Sequence, residues 1–176
     1  MVELSKRMPE YQFVVTAVPW IDRQIYYAYM ADGKRASDVR YVCDQTQQTL
    51  SVAEAAVVTS GTATLETALM GIPEMVVYRV PKLYEVLRPY VLKIPYVSLV
   101  NINLGREAVR ELVCAQLDLT EAEHELRSIV SGGEKRAKML SDFDELRALI
   151  GGAGASERFA AEMVNAIQNS KFKIQN

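Results

Sequence analysis

Apolar positions in the first half of the chain alternate between two periods. Gln12–Ala17 (QFVVTA) is a short run rich in β-branched residues and reads as a buried strand. Ile21–Ala31 has helical spacing and is closed by Asp32-Gly33. The same signals predict strands over Val39–Cys43, Ala55–Thr59 and Met75–Arg79, with helices over Thr46–Ala53 and Thr64–Met70. Short apolar strands alternating with helices predict an α/β fold, a Rossmann-like parallel sheet with helices on both faces. Beyond Val80 the pattern changes. Helices are expected over Lys82–Leu92 (disturbed by Pro89), Glu107–Ala115, Thr120–Val130, Glu134–Leu149 and Ser156–Gln168, with Tyr96–Leu99 extended and a frayed tail from Ser170. Thr120 and Glu123 have capping-box spacing.

The chain's start is unusual for this fold. VELSKRMPE reads as the end of a helix entering the first strand, whereas a doubly wound domain begins with a strand and a glycine-rich turn. A domain lacking its first strand is therefore the expectation. With no repeat and no low-complexity linker, all 176 residues are assigned to one domain.

Composition narrows the chemistry. The chain is 49% hydrophobic and 24% charged, which excludes disorder, collagen and a coiled coil. No apolar run is long enough to span a membrane, and the first residues lack the apolar core of a signal peptide. Cys43 and Cys114 cannot make a disulfide framework, so a reduced, cytoplasmic setting is the simpler reading. The 20 basic and 22 acidic residues nearly cancel, against a general nucleic-acid partner. His124 is the single histidine and sits among carboxylates on a solvated helix, so no zinc cluster and no histidine-based triad is expected.

The segment VVTSGTATLETALMG carries the chemistry. A buried strand ends at Ser60-Gly61 and a helix begins by about Thr64. Gly61 permits a sharp turn and close approach of a ligand. The amides of Thr62, Ala63 and Thr64 then face the turn at a helix N-terminus, where free N–H groups and the helix dipole favour phosphate. The hydroxyls of Ser60, Thr62 and Thr64 add neutral donors. Glu66 lacks a capping-box partner, because the position three residues earlier is Ala63. One turn in from a phosphate site, its carboxylate suits a ribose diol; an ordinary Glu favoured by the helix dipole is the competing reading.

Three segments in order, SGTATLETALMGIPEMVVYRV, IPYVSLVNINLGREAVRELV and LRALIGGAGASERFAAEMV, resemble the lipid-A-disaccharide synthase family of bacterial glycosyltransferases. The resemblance runs from about Tyr11 to Gln168. It implies one domain of a GT-B architecture, the C-terminal domain that binds the nucleotide sugar, with extra C-terminal helices. It also implies transfer of 2,3-diacylglucosamine from its UDP conjugate to 2,3-diacylglucosamine 1-phosphate, with inversion, without a metal and without a further cofactor. Ser60, Gly61, Thr62, Ala63 and Thr64 match the family's diphosphate turn and Glu66 its ribose-binding carboxylate. Asn101 matches an Asn important for activity, and Arg106 and Glu107 the following Gly-Arg-Glu.

There are departures from the family's pattern. Val100 replaces a Pro, Asn103-Leu104 replaces Leu-Ala, and Cys114 stands where Gln is frequent. The family's first strand with its Gly-Ser-Arg loop, and the N-terminal domain bearing the general base and acceptor site, have no counterpart here. The chain by itself is thus expected to be inactive. The acylated substrates imply a peripheral place on the inner membrane, for which Lys82–Tyr96 is one surface, against the plainer reading of a helix packed on the sheet. Exchange of C-terminal segments in family dimers makes a homodimer an expectation. An epimerase or cell-wall glycosyltransferase of the same fold, and a non-catalytic nucleotide-binding or assembly module, are the alternatives. YVSLVNINLGRE speaks against the first two. Tyr26, Tyr27 and Tyr29 are expected at core and rim rather than as a stacking platform.

Overall fold

The computed structural model describes residues 1–32, 35–36, 38–59, 61–82, 95–151 and 154–173. In chain order the elements are α1 (Val2–Arg7), β1 (Val14–Ala17), α2 (Arg23–Met30), β2 (Ala31–Asp32), β3 (Arg35–Ala36), β4 (Arg40–Cys43), α3 (Thr46–Ser51) and β5 (Ala56–Val58). Next come α4 (Thr62–Leu69), β6 (Glu74–Arg79), α5 (Leu99–Leu104), β7 (Glu111–Cys114), α6 (Leu119–Ile129), α7 (Arg136–Ile150) and α8 (Ala155–Lys173). The helical start, the four early strands and the helices between them match the sequence pattern within a residue or two. After Lys82, the helix expected over Lys82–Leu92 falls outside the described residues, as does Ser60.

The fold is α/β with parallel strands flanked by helices. β1 pairs with β4 in parallel, Val14 opposite Arg40 through Ala17 opposite Cys43. β5, β6 and β7 form a second parallel sheet with β6 in the centre, Val57 opposite Met75 and Val77 opposite Leu112. Met75 and Val76 on β6 are fully buried, as a central parallel strand requires. The core continues through Phe143 and Leu146 of α7, Leu126 and Ile129 of α6, Val100 of α5 and Leu4 of α1. Each such side chain contributes roughly 1.5–3 kcal/mol on burial. Tyr26 and Tyr27 both pack on Tyr41 with ring centroids 5.4 Å apart, so the α2 tyrosines do pack, while Tyr29 faces solvent.

Three local expectations are corrected. The segment expected to be a helix over Glu107–Ala115 forms β7 instead. ELVC is a short apolar run whose period fits either state, and pairing with the open side of β6 decides it. The cap of α6 is Asp118 rather than Thr120: its carboxylate accepts from the amides of Thr120 at 2.8 Å and Glu121 at 3.2 Å. Glu123 then pairs with Arg127 and Arg7. Lastly, α8 continues to Lys173, further than the predicted end at Gln168.

Candidate functional site

The helices that follow the carboxyl ends of β4 and β5 are joined at their starts. α3 begins three residues after β4, and α4 begins four residues after β5. Gln47 on α3 donates from Nε2 to Glu66 Oε1 on α4 at 3.0 Å, joining the two helix starts. Open α/β sheets bind ligands at the carboxyl ends of their strands. The backbone there is unusual: Asp44, directly after β4, has φ +57° while its amide donates to the Ala17 carbonyl at 2.9 Å. Asp is among the few residues that tolerate this left-handed region.

Gly61 is the N-cap of α4, with φ +140° and ψ −160°, a region open essentially to glycine alone. Among the described residues, an added Cβ would meet nothing within 4 Å, and no side chain caps α4. Thr62 and Ala63 are exposed at its first turn, where amides lack an intrahelical acceptor. Thr64 differs from the expectation. It is fully buried, and its hydroxyl donates to the Gly61 carbonyl at 2.8 Å, so it shapes the turn and offers no outward donor. Glu66 lies one turn in and is exposed, with Gln47 as its partner.

The second candidate segment is built differently. Ser98 caps α5 by accepting from the Asn101 amide at 3.2 Å. Asn101 is fully buried. Its Nδ2 donates to the Val109 carbonyl and to Glu111 Oε1, both at 2.8 Å. Its Oδ1 accepts from the amides of Ala108 at 2.7 Å and Val109 at 3.0 Å. Two donors and two acceptors are the whole capacity of a carboxamide, and all are engaged inside the chain. Glu111 also accepts from the amides of Val97 and Ser98 at 2.9 Å. This knot fixes the path from residue 97 to β7. The structure therefore does not bring Asn101 to the turn with a free polar atom.

Arg106 likewise faces its own fold. It binds Glu145 of α7 through both guanidinium nitrogens, at 3.0 and 2.5 Å, and Asp142 at 2.9 Å. The Arg106 guanidinium in turn holds the Glu145 carboxyl below the usual range, and Lys138 and Arg106 together do the same to Asp142 against the opposing effect of burial. Glu107 is exposed and pairs with Arg110 at 3.1 Å.

A cavity of about 420 Å³ opens elsewhere, between α6, α7 and residues 107–110 before β7. Its charges are mutually satisfied: Lys135 with Glu125, Lys138 with Asp142, Arg110 with Glu107 and Glu121. None of residues 61–66 lines it, so it does not represent the turn. Among the described residues, no group of three or more His, Cys, Asp or Glu side chains could hold a metal, and no helix is long and apolar enough to cross a membrane.

Two polar residues escape sequence reading here. Gln47 had one usable signal, its place just after a strand at the ligand edge. Glu74, at the start of β6, had none. It is fully buried with neither carboxylate oxygen partnered, and burial pushes its carboxyl up to about 9.

Fold and turn together define a class: an α/β domain with parallel sheets flanked by helices, in which the helix after β5 opens on a glycine with an acid one turn in. The lipid-A-disaccharide synthetase family model matches residues 1–164. The chain is 33% identical over 172 residues to the lipid-A-disaccharide synthase of Anaeromyxobacter dehalogenans strain 2CP-C, covering 96% of this chain and 45% of that protein. It is 36% identical over 168 residues to that of Myxococcus xanthus, covering 93% and 43%. A Synechocystis counterpart is 32% identical over 132 residues, covering 72% and 34%. The chain belongs to the lipid-A-disaccharide synthetase family, and it spans less than half the length of these relatives.

Proposed function

We propose that these 176 residues are the donor-binding part of an inverting, UDP-dependent hexosyltransferase of lipid A biosynthesis. The donor is UDP-2,3-diacylglucosamine and the acceptor 2,3-diacylglucosamine 1-phosphate. The acceptor hydroxyl attacks the anomeric carbon, the bond to the diphosphate breaks, and UDP leaves with the electron pair. The proton passes to a base that we place outside this chain. The turn's contribution is to stabilise charge developing on the diphosphate with fixed N–H groups. Gly61 gives close approach, and Thr62 and Ala63 supply amides. Thr64 holds the turn by donating both its amide and its hydroxyl to the Gly61 carbonyl, at 3.3 and 2.8 Å. Ser60 extends the cradle on the strength of the resemblance, and Glu66 beside Gln47 takes the ribose diol. Asn101, Arg106 and Glu107 belong to the scaffold around that edge. The observation carrying this reading is the exposed, uncapped start of α4 with Glu66 one turn in.

The sheet order supports the same domain assignment. β4–β1 and β5–β6–β7 are separate sheets; matched to a doubly wound order 3-2-1-4-5-6, β4 and β1 would take positions 3 and 2, and β5, β6 and β7 positions 4, 5 and 6. No described strand fills position 1, between β1 and β5. We assign that position to the first strand and Gly-Ser-Arg loop of the donor domain, carried outside these residues. The acylated substrates put the reaction at the cytoplasmic face of the inner membrane, which co-sedimentation with anionic vesicles tests. The exposed Phe159, Met163, Val164 and Ile167 of α8 support a homodimer, testable by sedimentation velocity.

Two measurements test the core of the reading. Calorimetric titration should find UDP binding to the chain, and no disaccharide should form when the chain alone is given both substrates. Robust turnover by the chain would overturn its assignment as the donor-binding part.

A further inference from the structure

The C-terminal end of α4 is held by a residue that neither the resemblance nor the turn identifies. α4 has eight residues and is about 12 Å long, so its two ends are mechanically close. Arg147 reaches its last turn from α7. Nε donates to the Leu69 carbonyl at 3.1 Å and Nη2 to the Ala68 carbonyl at 3.5 Å. Asp144, one turn earlier on α7, pairs with Nη1 and orients the guanidinium. Gly71 makes room for it. The backbone at φ +77° favours glycine, and a Cβ there would stand 2.8 Å from Nη2 and push the guanidinium aside.

α7 is a rigid base for this contact, because Phe143 and Leu146 beside Arg147 are fully buried in the core. A cation at a helix C-terminus complements the dipole and leaves the N–H groups at the opposite end for an anion. We propose that Arg147 is a positioning residue for the diphosphate turn: it fixes the C-terminal end of α4 against α7 and thereby sets where the amides of Thr62, Ala63 and Thr64 stand. This rests on the reading that the turn holds the diphosphate. α7 also grips Arg106 through Asp142 and Glu145, so one helix is the common reference for both segments at issue.

The test compares Arg147→Ala, Arg147→Lys and Asp144→Asn by ¹H–¹⁵N spectra without ligand and by UDP titration. Arg147→Ala should move the amide resonances of Thr62–Thr64, at the far end of α4, and weaken UDP binding about five- to tenfold. Arg147→Lys, whose ammonium reaches a carbonyl but lacks the guanidinium fork, should recover part of both effects. Asp144→Asn should show the same shifts, smaller, on an exposed position that leaves the core untouched; it serves if Arg147→Ala does not fold. A lowered melting temperature with unchanged Thr62–Thr64 resonances and unchanged UDP affinity would overturn the proposal. Resonance shifts at Thr62–Thr64 in a protein that binds no UDP even as wild type would uphold the coupling and overturn the diphosphate reading instead.

Discussion

Residues 60–66 and 98–107 look equally functional in the sequence, yet they stand in opposite relation to their own polar groups. In the second segment, Ser98 and Asn101, together with Glu111 of β7, satisfy one another and the surrounding backbone, and Asn101 has no atom left for a ligand. In the first, α4 starts without a side-chain cap, and Glu66 is exposed with one neutral partner. A polar residue whose hydrogen-bonding capacity is used inside the fold sets a shape. One that retains capacity at an exposed helix start can meet a ligand. The difference is three-dimensional, and residue type alone does not reveal it.

The largest effect should come from breaking the knot. Asn101→Leu strands the amides of Ala108 and Val109 and the Val109 carbonyl in the interior, and removes one of the three hydrogen bonds to Glu111. Leaving buried groups unpaired costs about 1–3 kcal/mol each, so a loss of about 3–5 kcal/mol is expected by chemical denaturation. UDP affinity of the folded protein should change by less than about twofold. A stable Asn101→Leu variant with lost UDP affinity would reverse the roles assigned to the two segments.

Glu74 sharpens the comparison, being as buried as Asn101 but unpartnered. Its carboxyl stays protonated in the fold to about 9, whereas in the unfolded chain it ionises near 4.5. Between those values the folded state holds the extra proton, so stability falls as pH rises, at about 1.4 kcal/mol per pH unit. Below and above the window this contribution is flat. Relative to the parent, Glu74→Gln should remove a decline of about 3 kcal/mol between pH 4.5 and 7, read from denaturant midpoints at each pH. Parallel curves for parent and variant would show that Glu74 has a partner in solution.

Glu66→Gln comes next and touches only the ligand. Gln keeps one acceptor oxygen, so the variant loses one charge-assisted hydrogen bond from the ribose diol, worth roughly 1.5–3 kcal/mol, and UDP should bind about 10- to 100-fold more weakly. Melting temperature should barely move, since a Glu near a helix start contributes only about 0.3–1 kcal/mol. A lower melting point with unchanged affinity would return Glu66 to a dipole role. The smallest effect is expected for Arg106→Gln. Its pair with Glu145 is exposed, and the buried Asp142 keeps Lys138 as a partner, so UDP affinity should be unchanged and the melting temperature should stay within about a degree or two.

Much of the fold was legible because buried parallel strands announce themselves. QFVVTA, VRYVC, AAVVT and MVVYR all became strands within a residue or two of their predicted limits. β7 was misread because EAVRELV fits a helix as well as a strand, and only the open side of β6 decides between them. The site was legible as far as backbone chemistry reaches: Gly61 and the start of α4 follow from the glycine and the strand before it. Partnerships across the fold were not. Nothing local marks Gln47 as the partner of Glu66, Glu111 as the partner of Asn101, or Arg147 as the clamp on α4, because these residues lie 10 to 79 positions from what they bind. The Thr64 hydroxyl was misassigned for a related reason, since its turn back onto Gly61 depends on burial of that side of α4.

The most direct test of the contrast is a ¹H–¹⁵N titration of the 176-residue protein with UDP to millimolar concentration. Progressive shifts are expected at the amides of Gly61, Thr62, Ala63 and Thr64 and at the Gln47 side chain. The Asn101 carboxamide and the amides of Ala108 and Val109 should stay in place. Shifts centred on Asn101, Ala108 and Val109 with none at Gly61–Thr64, or no response anywhere, would contradict that contrast.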